Sequence, residues 1–363
     1  MAIARRSRAS RRSRIAVILW GFLVTVVFIV GLVTGFLYYL KTTFENPGPL
    51  VAETTFVVDK GDSVTVIAQK LLDKGHISDA RVFILGFYLN KEQGTLKAGE
   101  FPLKAGISME QIIRVLRSGK SISYKITLPE GLTSQQIVER INKNTVLTGT
   151  IRKTPEEGSL LPETYTFQRG VSRETMLERM HKAQLKVLKV AWDKRAGGLP
   201  FKLPKEAIIL ASIVEKETGK TTERSRIAGV FINRLNKSIR LQSDPTIIYG
   251  LVGGKGALGR RIKQSEINKS TPYNTYQIDG LPPTPIANPG RAAIEAVLNP
   301  DQHKEIYFVA DGTGGHVFAQ TLKQHNRNVA KWRAFLKKQK SKPKVPPAPK
   351  ITPIPKSEVV PAQ

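Results

Sequence analysis

Cysteine is absent from the 363 residues, and acids are scarce, 29 against 57 lysines and arginines. The first absence excludes disulfides, thiolate metal sites and a cysteine nucleophile. Histidine is also thin, with five residues in all. His303, His316 and His325 are too dispersed for a local zinc signature, so no metal or other cofactor is expected. Ser212 and Ser225 lack a nucleophile-elbow context. Charge of either sign is missing from residues 15–40, "IAVILWGFLVTVVFIVGLVTGFLYYL". About 20 apolar residues cross a bilayer, so this run is long enough to span it. A cleaved signal has a shorter apolar core and a small-residue cleavage site, so an uncleaved anchor is expected.

What is present gives that anchor a direction. Six arginines crowd the first fourteen residues, "MAIARRSRASRRSR". Basic flanks stay cytoplasmic, which places everything after residue 41 outside the cytoplasm. The expected location is the plasma (inner) membrane, single-pass, with an extracytoplasmic or periplasmic main body. A net charge of +28 would otherwise suggest nucleic acid. Across the membrane from DNA and RNA, anionic lipid or an anionic wall polymer is the better partner, beside the alternative of a plain solvated surface.

A weak repeat follows. "TFVVDKGDSVTVIAQKLL", "GEFPLKAGISMEQIIRVL" and "YKITLPEGLTSQQIVERI" each carry a short alternating segment, a glycine (Gly61, Gly106, Gly131), a hydroxyl two residues on (Ser63, Ser108, Thr133) and an isoleucine six on (Ile67, Ile112, Ile137). The pattern predicts strand, turn, N-cap and helix, with capping boxes Ser108–Gln111 and Thr133–Gln136. Such units resemble LysM glycan-binding modules; a packing unit without ligand is the alternative. Further on, "GSLLPETYTF" predicts a loop and strand, "SRETMLERMHKAQLKVLKVAWDKRA" a long helix, and "EIYFVADGTGGHVFA" a hairpin. From Lys337 a Lys- and Pro-rich tail is expected to be disordered.

The chemistry centres on "ILASIVEKETGK", residues 209–220. A helix from Pro204 is expected to end at Gly219 as a C′ glycine. Ala207, Leu210, Ile213 and Val214 form an apolar stripe, and Glu217 continues it. Glu215, about 200° away around the axis, is expected on a polar face. A carboxylate on an apolar face in the last helical turn has its charged form disfavoured, which suits a general acid. The alternative is a structural ion pair with Arg224 or Arg226.

"ASIVEKETG", "VFINRL", "LQSDPTIIYG", "PYNTYQIDGLPPTPIANPG" and "YFVADGTGGHVFAQTLKQHN" follow in order behind the single anchor. In this the chain resembles the YceG-like family over about residues 15–336. The resemblance implies an α+β architecture, with 41–123 as a LysM-like module and 124–336 as a mixed α+β catalytic domain behind the 15–40 transmembrane anchor; residues 1–14, a cytoplasmic basic N-terminus, and 337–363, the tail, lie outside it. It implies endolytic cutting of peptidoglycan glycan strands, with Glu217, second glutamate of the E-K-E motif, as the catalytic residue. Candidate substrate-binding residues are Glu163, Asn233, Gln242, Asp244, Tyr249, Tyr273, Asn274, Tyr276, His316 and Asn326. No cleft wall is expected between Asn142 and Ser159. Glycan strands and the membrane are the expected partners, with cell-wall synthases a candidate beside them. A hydrolase with a second carboxylate, Asp244, and a wall-binding scaffold without activity are the alternatives.

Overall fold

The computed structural model describes residues 7–89 and 94–340. The first arginines, before residue 7, and the tail beyond residue 340 lie outside the described residues. Helix α1, Ser7–Glu45, begins the chain. Within its segment Ile15–Glu45 the most apolar 18-residue stretch has a mean hydropathy of 2.8 and none of it is buried. At 1.5 Å per residue the uncharged run of residues 15–40 is about 39 Å long, more than a hydrocarbon core of about 30 Å. By length and composition it can cross a membrane.

The chain divides into two compact units that do not follow one boundary in sequence: Met1–Leu128, Glu139–Arg152 and Thr164–Leu177 form the first, and Pro129–Val138, Lys153–Glu163 and Glu178–Gln363 the second. The architecture is α+β, with three separate two-stranded antiparallel sheets among the described residues.

In the first unit, β1 (Thr54–Val58) pairs with β2 (Gly99–Leu103), bringing Phe56 opposite Phe101. Both rings are fully buried, beside Ile67 and Leu71 of α2 (Val64–Asp73), Phe83 of α3 (Ala80–Leu89), and Ile112 and Leu116 of α4 (Met109–Ser118). The repeated pattern forms as expected. Gly61, Gly106 and Gly131 all have positive φ, conformations that a side chain disfavours. Ser63 caps α2, and Ser108 with Gln111 makes a full capping box on α4. In the second unit, Thr133 and Gln136 exchange the same two bonds at the start of α5 (Ser134–Asn142). Ile67, Ile112 and Ile137 are buried. A second ladder pairs β3 (Ser123–Thr127) with β4 (Thr164–Gln168). Buried Glu100 accepts from Tyr124 of β3 and from Arg169 just after β4.

The long amphipathic helix is α6, Arg173–Asp193. In the second unit, α7 (Pro204–Glu217) packs against α8 (Arg224–Asn236) and α11 (Arg291–Leu298). Eight consecutive α7 residues, Ala207 to Val214, are buried. The expected single stripe is therefore a central helix enclosed on all sides, the usual state of a helix apolar all round. Two smaller helices, α9 (Asp244–Val252) and α10 (Gln264–Asn268), precede α11. The hairpin is β5 (Tyr307–Ala310) with β6 (His316–Ala319), and α12 (Leu322–Lys340) follows. It carries helix to Lys340, past Lys337 where a disordered tail was expected.

Two expectations for α7 are corrected. The helix ends in extended Thr218, φ −143°, and Gly219 does not take the left-handed C′ conformation. Thr218 instead closes the turn by accepting the Lys220 amide on its hydroxyl. Glu215 does not sit on a polar face: its side chain is 5% exposed and pairs with Arg224, itself 5% exposed, at 3.4 Å. Because neighbours enclose α7, the 200° that separates Glu215 from Glu217 leads into a second buried environment.

Candidate active site

Glu217 stands where the enclosed helix α7 reaches the surface, and its residue is half-buried. Neither expected cation is bound to it. Arg224 goes to Glu215 and, at 3.7 Å, to Glu130. Arg226 makes a two-pronged pair with Glu305. What Glu217 has is one neutral hydroxyl: Ser243 Oγ donates to its Oε1 at 2.5 Å. Oε2 has no partner among the described residues. Since Ser243 donates to Oε1, the acidic proton belongs on Oε2, the free oxygen. Burial pushes the Glu217 carboxyl above its ordinary range, and the negative charge of Asp244 pushes the same way. The Ser243 bond, His316 and Arg234 pull it down.

Ser243 is locked in place. It is 1% exposed, its amide donates to Thr275 Oγ1 at 2.9 Å, and its carbonyl accepts from Thr246 Oγ1 at 2.7 Å. Gln242 before it has φ +51°. Such a conformation in a non-glycine residue costs on the order of 1 kcal/mol, and it turns the chain into the site. As the residue ahead of α9, Ser243 is placed to cap that helix, yet its hydroxyl makes no cap bond. It is diverted to Glu217. Ser243→Ala removes a donor that favours the charged carboxylate. The pH at which Glu217 loses its proton should therefore rise, as carboxyl ¹³C resonances would register; an unchanged or lower midpoint refutes this role.

Several predicted residues meet here. Asp244 is exposed beside Glu217 and accepts from Tyr276 Oη at 2.7 Å. Burial and Asp244 push the Tyr276 phenol up, so it remains a neutral donor. His316 is held through Nδ1 by Glu223 at 2.9 Å. Gln242 is exposed at the same corner. Arg234 was not singled out in the sequence. It is 7% exposed and clamps the loop before α9 by donating to Leu241 O at 2.8 Å and Ile306 O at 2.6 Å.

The other predicted residues lie apart. Asn233 donates to the carbonyls of His303 and Glu305. Asn274 donates to those of Glu266, Ile267 and Lys269. Both spend their amides holding loops. Asn326 is exposed on α12, and Glu163 is exposed just before β4.

A groove of about 780 Å³ runs alongside. Lys216 and Pro245, the neighbours of Glu217 and Asp244 in the chain, both line it. Tyr249 also lines it, with its ring 5.0 Å from that of Tyr273 and its hydroxyl on Glu157 at 3.2 Å. Tyr273 in turn meets Thr284 Oγ1 at 2.7 Å. Glu157, behind Tyr249 and not itself in the groove lining, lies between Asn142 and Ser159. It accepts from the Ser134 amide at 2.7 Å and Asn288 Nδ2 at 3.1 Å, and burial pushes its carboxyl up. No charge pattern marked it, because its partners come from distant segments. No group of three or more His, Asp or Glu able to hold a metal occurs among the described residues.

Residues 56–331 match the YceG-like family. A protein named endolytic murein transglycosylase from Bacillus subtilis (strain 168) is 29% identical over 337 residues, covering 83% of this chain and 91% of the relative. One of the same name from Streptococcus pneumoniae (strain ATCC BAA-255 / R6) is 29% identical over 346 residues, covering 82% of this chain and 61% of the relative. This chain thus spans about three-fifths of the streptococcal protein. A crystal structure of a yceG-like protein from Listeria monocytogenes is 32% identical, covers 76% of this chain and 98% of its own, and superposes with a TM-score of 0.48.

Proposed function

The chain belongs to the YceG-like family, and on that premise we propose that it is a membrane-anchored endolytic lytic transglycosylase of peptidoglycan with Glu217 as its acid and base. The observation that carries this reading is the state of Glu217: raised by burial, free of any cation partner, held on one oxygen by Ser243 and open on the other.

In the proposed reaction Oε2–H of Glu217 donates its proton to the glycosidic oxygen between N-acetylmuramic acid and N-acetylglucosamine. The C1–O bond breaks with its electron pair leaving on that oxygen. The muramoyl C6 hydroxyl attacks C1, and the Glu217 carboxylate takes the hydroxyl proton, which restores the acid. The product end is a 1,6-anhydro ring. The nucleophile belongs to the substrate, so one carboxyl group serves both proton transfers. Tyr276 and Ser243 keep the local groups neutral or donating while charge moves.

Asp244 supports a second reading. A carboxylate close enough to act on Glu217 electrostatically could activate water, as in two-carboxylate glycosidases. Mass spectrometry of the muropeptides released from purified peptidoglycan decides between them. Anhydro-muramoyl ends are expected; reducing ends would replace the proposal with the hydrolase, and no cutting at all would favour a scaffold.

The exposed apolar run of α1 supports the anchor, with the arginine-rich end cytoplasmic. Alkaline phosphatase fused after residue 363 should be active and fused after residue 14 inactive; the reverse pattern would put the catalytic unit on the wrong side for its substrate. A LysM-like glycan-binding role for residues 41–123 rests on the strand–turn–helix pattern repeated there. Residues 50–120 should then sediment with purified cell wall, and folded protein left in solution would leave only a packing role.

A further inference from the structure

We propose that the groove beside Glu217 holds the short acidic peptide carried by the muramoyl sugar, so that this chain selects peptide-bearing glycan over bare glycan. The inference rests on the glycan-cutting reading above.

The position of the groove comes first. Successive helical residues point about 100° apart, so Lys216 faces a different direction from Glu217. Lys216 lines the groove while Glu217 does not, and on α9 Pro245 lines it while Asp244 does not. Each carboxylate thus has its chain neighbour in the groove lining. The groove is a side channel to the reacting bond, placed for a branch of the substrate. In peptidoglycan the branch is a peptide on the lactyl ether of the muramoyl sugar, the same sugar whose C1 is attacked.

The lining fits that branch better than it fits sugar. Sugar rings ask for amides and flat aromatic faces. Here the lining holds one aromatic ring, Tyr249, and one amide, Gln136, beside the aliphatic side chains of Ile248, Val252, Leu258 and Ile286. Such aliphatic side chains take alanine methyls. The edge is cationic, with Lys216, Arg260 and Arg261. Arg260 is matched by Glu266, and Lys216 Nζ reaches the Gly131 carbonyl at 3.2 Å. Arg261 is exposed and has no acidic partner among the described residues. The one carboxylate lining the groove, Glu130, lies 3.7 Å from Arg224. The edge thus keeps a positive excess, complementary to a peptide with free carboxylates. A volume of about 780 Å³ lies within the range of pockets that enclose ligands of that size.

The test gives the full-length chain two substrates: uncrosslinked glycan with its peptides, and the same glycan stripped of them by an amidase. Wild type should show kcat/KM at least about tenfold higher on the first, the worth of one charge-assisted contact. Arg261→Glu should bring that ratio near one, chiefly by raising KM on the peptide-bearing strand. Equal kcat/KM on the two substrates in wild type would overturn the proposal. Calorimetry with a synthetic stem peptide is the second arm. Binding that weakens about tenfold with Arg261→Glu, and again when the peptide carboxylates are amidated, supports the groove assignment. Absence of binding to wild type, or indifference to both changes, overturns it. If neither glycan is cut, the catalytic reading fails, and the calorimetric arm alone decides the groove.

Discussion

Glu217→Gln should abolish most turnover while leaving the fold intact. A general acid is worth typically about 10²–10⁴-fold, and here one group is asked to serve as acid and then as base, so a loss of at least that size is expected. Glutamine keeps the shape and can still accept the Ser243 hydroxyl, but it cannot give up a proton to the leaving oxygen. Stability should respond in the opposite sense to activity. The folded-state carboxyl lies above its ordinary range because burial disfavours the anion. Between the ordinary range and the raised folded value the native state therefore binds more protons than the unfolded chain, and stability falls as pH rises through that window. Glutamine removes this slope. In urea the variant should match wild type near pH 4 and exceed it near pH 8. A variant that is destabilised at pH 8, or that still cuts glycan at the wild-type rate, would show that Glu217 is structural.

Glu215→Ala should do the reverse, costing stability far more than chemistry. The substitution strips Arg224, 5% exposed, of its partner at 3.4 Å and leaves only Glu130 at 3.7 Å. It also removes the acceptor of the Gly290 amide, bonded to Glu215 Oε2 at 3.0 Å at the start of α11. Breaking one half of a buried ion pair typically costs about 3–5 kcal/mol, because the charge left behind is uncompensated. Because Glu130 remains, about 3 kcal/mol is expected in urea unfolding. Glycan cutting by the folded fraction should stay within a few-fold of wild type. Unaltered stability together with a loss of activity as deep as that of Glu217→Gln would indicate a catalytic pair of carboxylates on one helix end.

These two glutamates also mark what periodicity can and cannot tell. Glu217 was legible because its environment is made by its own helix: the residues three and four before it are apolar, and a stripe is a local property. The fate of Glu215 was not, because Arg224 and Gly290 decide it, and Gly290 lies 75 positions away. Thr133, Ser108 and Ser63 were legible as caps because a cap closes within three residues. Ser243 looks like a cap by the same rule and is not one, since a buried acceptor from α7 competes for its hydroxyl. Asn233 and Asn274 have the chemistry of sugar ligands, but Asn274 closes its own loop on Glu266, Ile267 and Lys269, and the carbonyls that Asn233 holds lie 70 and 72 residues along the chain. Glu157 is the extreme case: its contacts to Ser134, Tyr249 and Asn288 reach 23, 92 and 131 residues along the chain.

The interleaved make-up of the first unit has a consequence for how the protein is born. Strand β3 finds its partner β4 only after an excursion, Thr127 lying opposite Thr164 and Ser123 opposite Gln168. Vectorial synthesis therefore delivers β1, β2 and helices α2 to α4 as a finished sandwich, while β3 waits with bare amides and carbonyls until more than thirty further residues have emerged. An unpaired edge is sticky. A nascent chain stalled between 128 and 163, or a gene cut there, exposes that edge permanently, so the hazardous interval for aggregation lies midway through synthesis, after the first core has closed and before α7 exists.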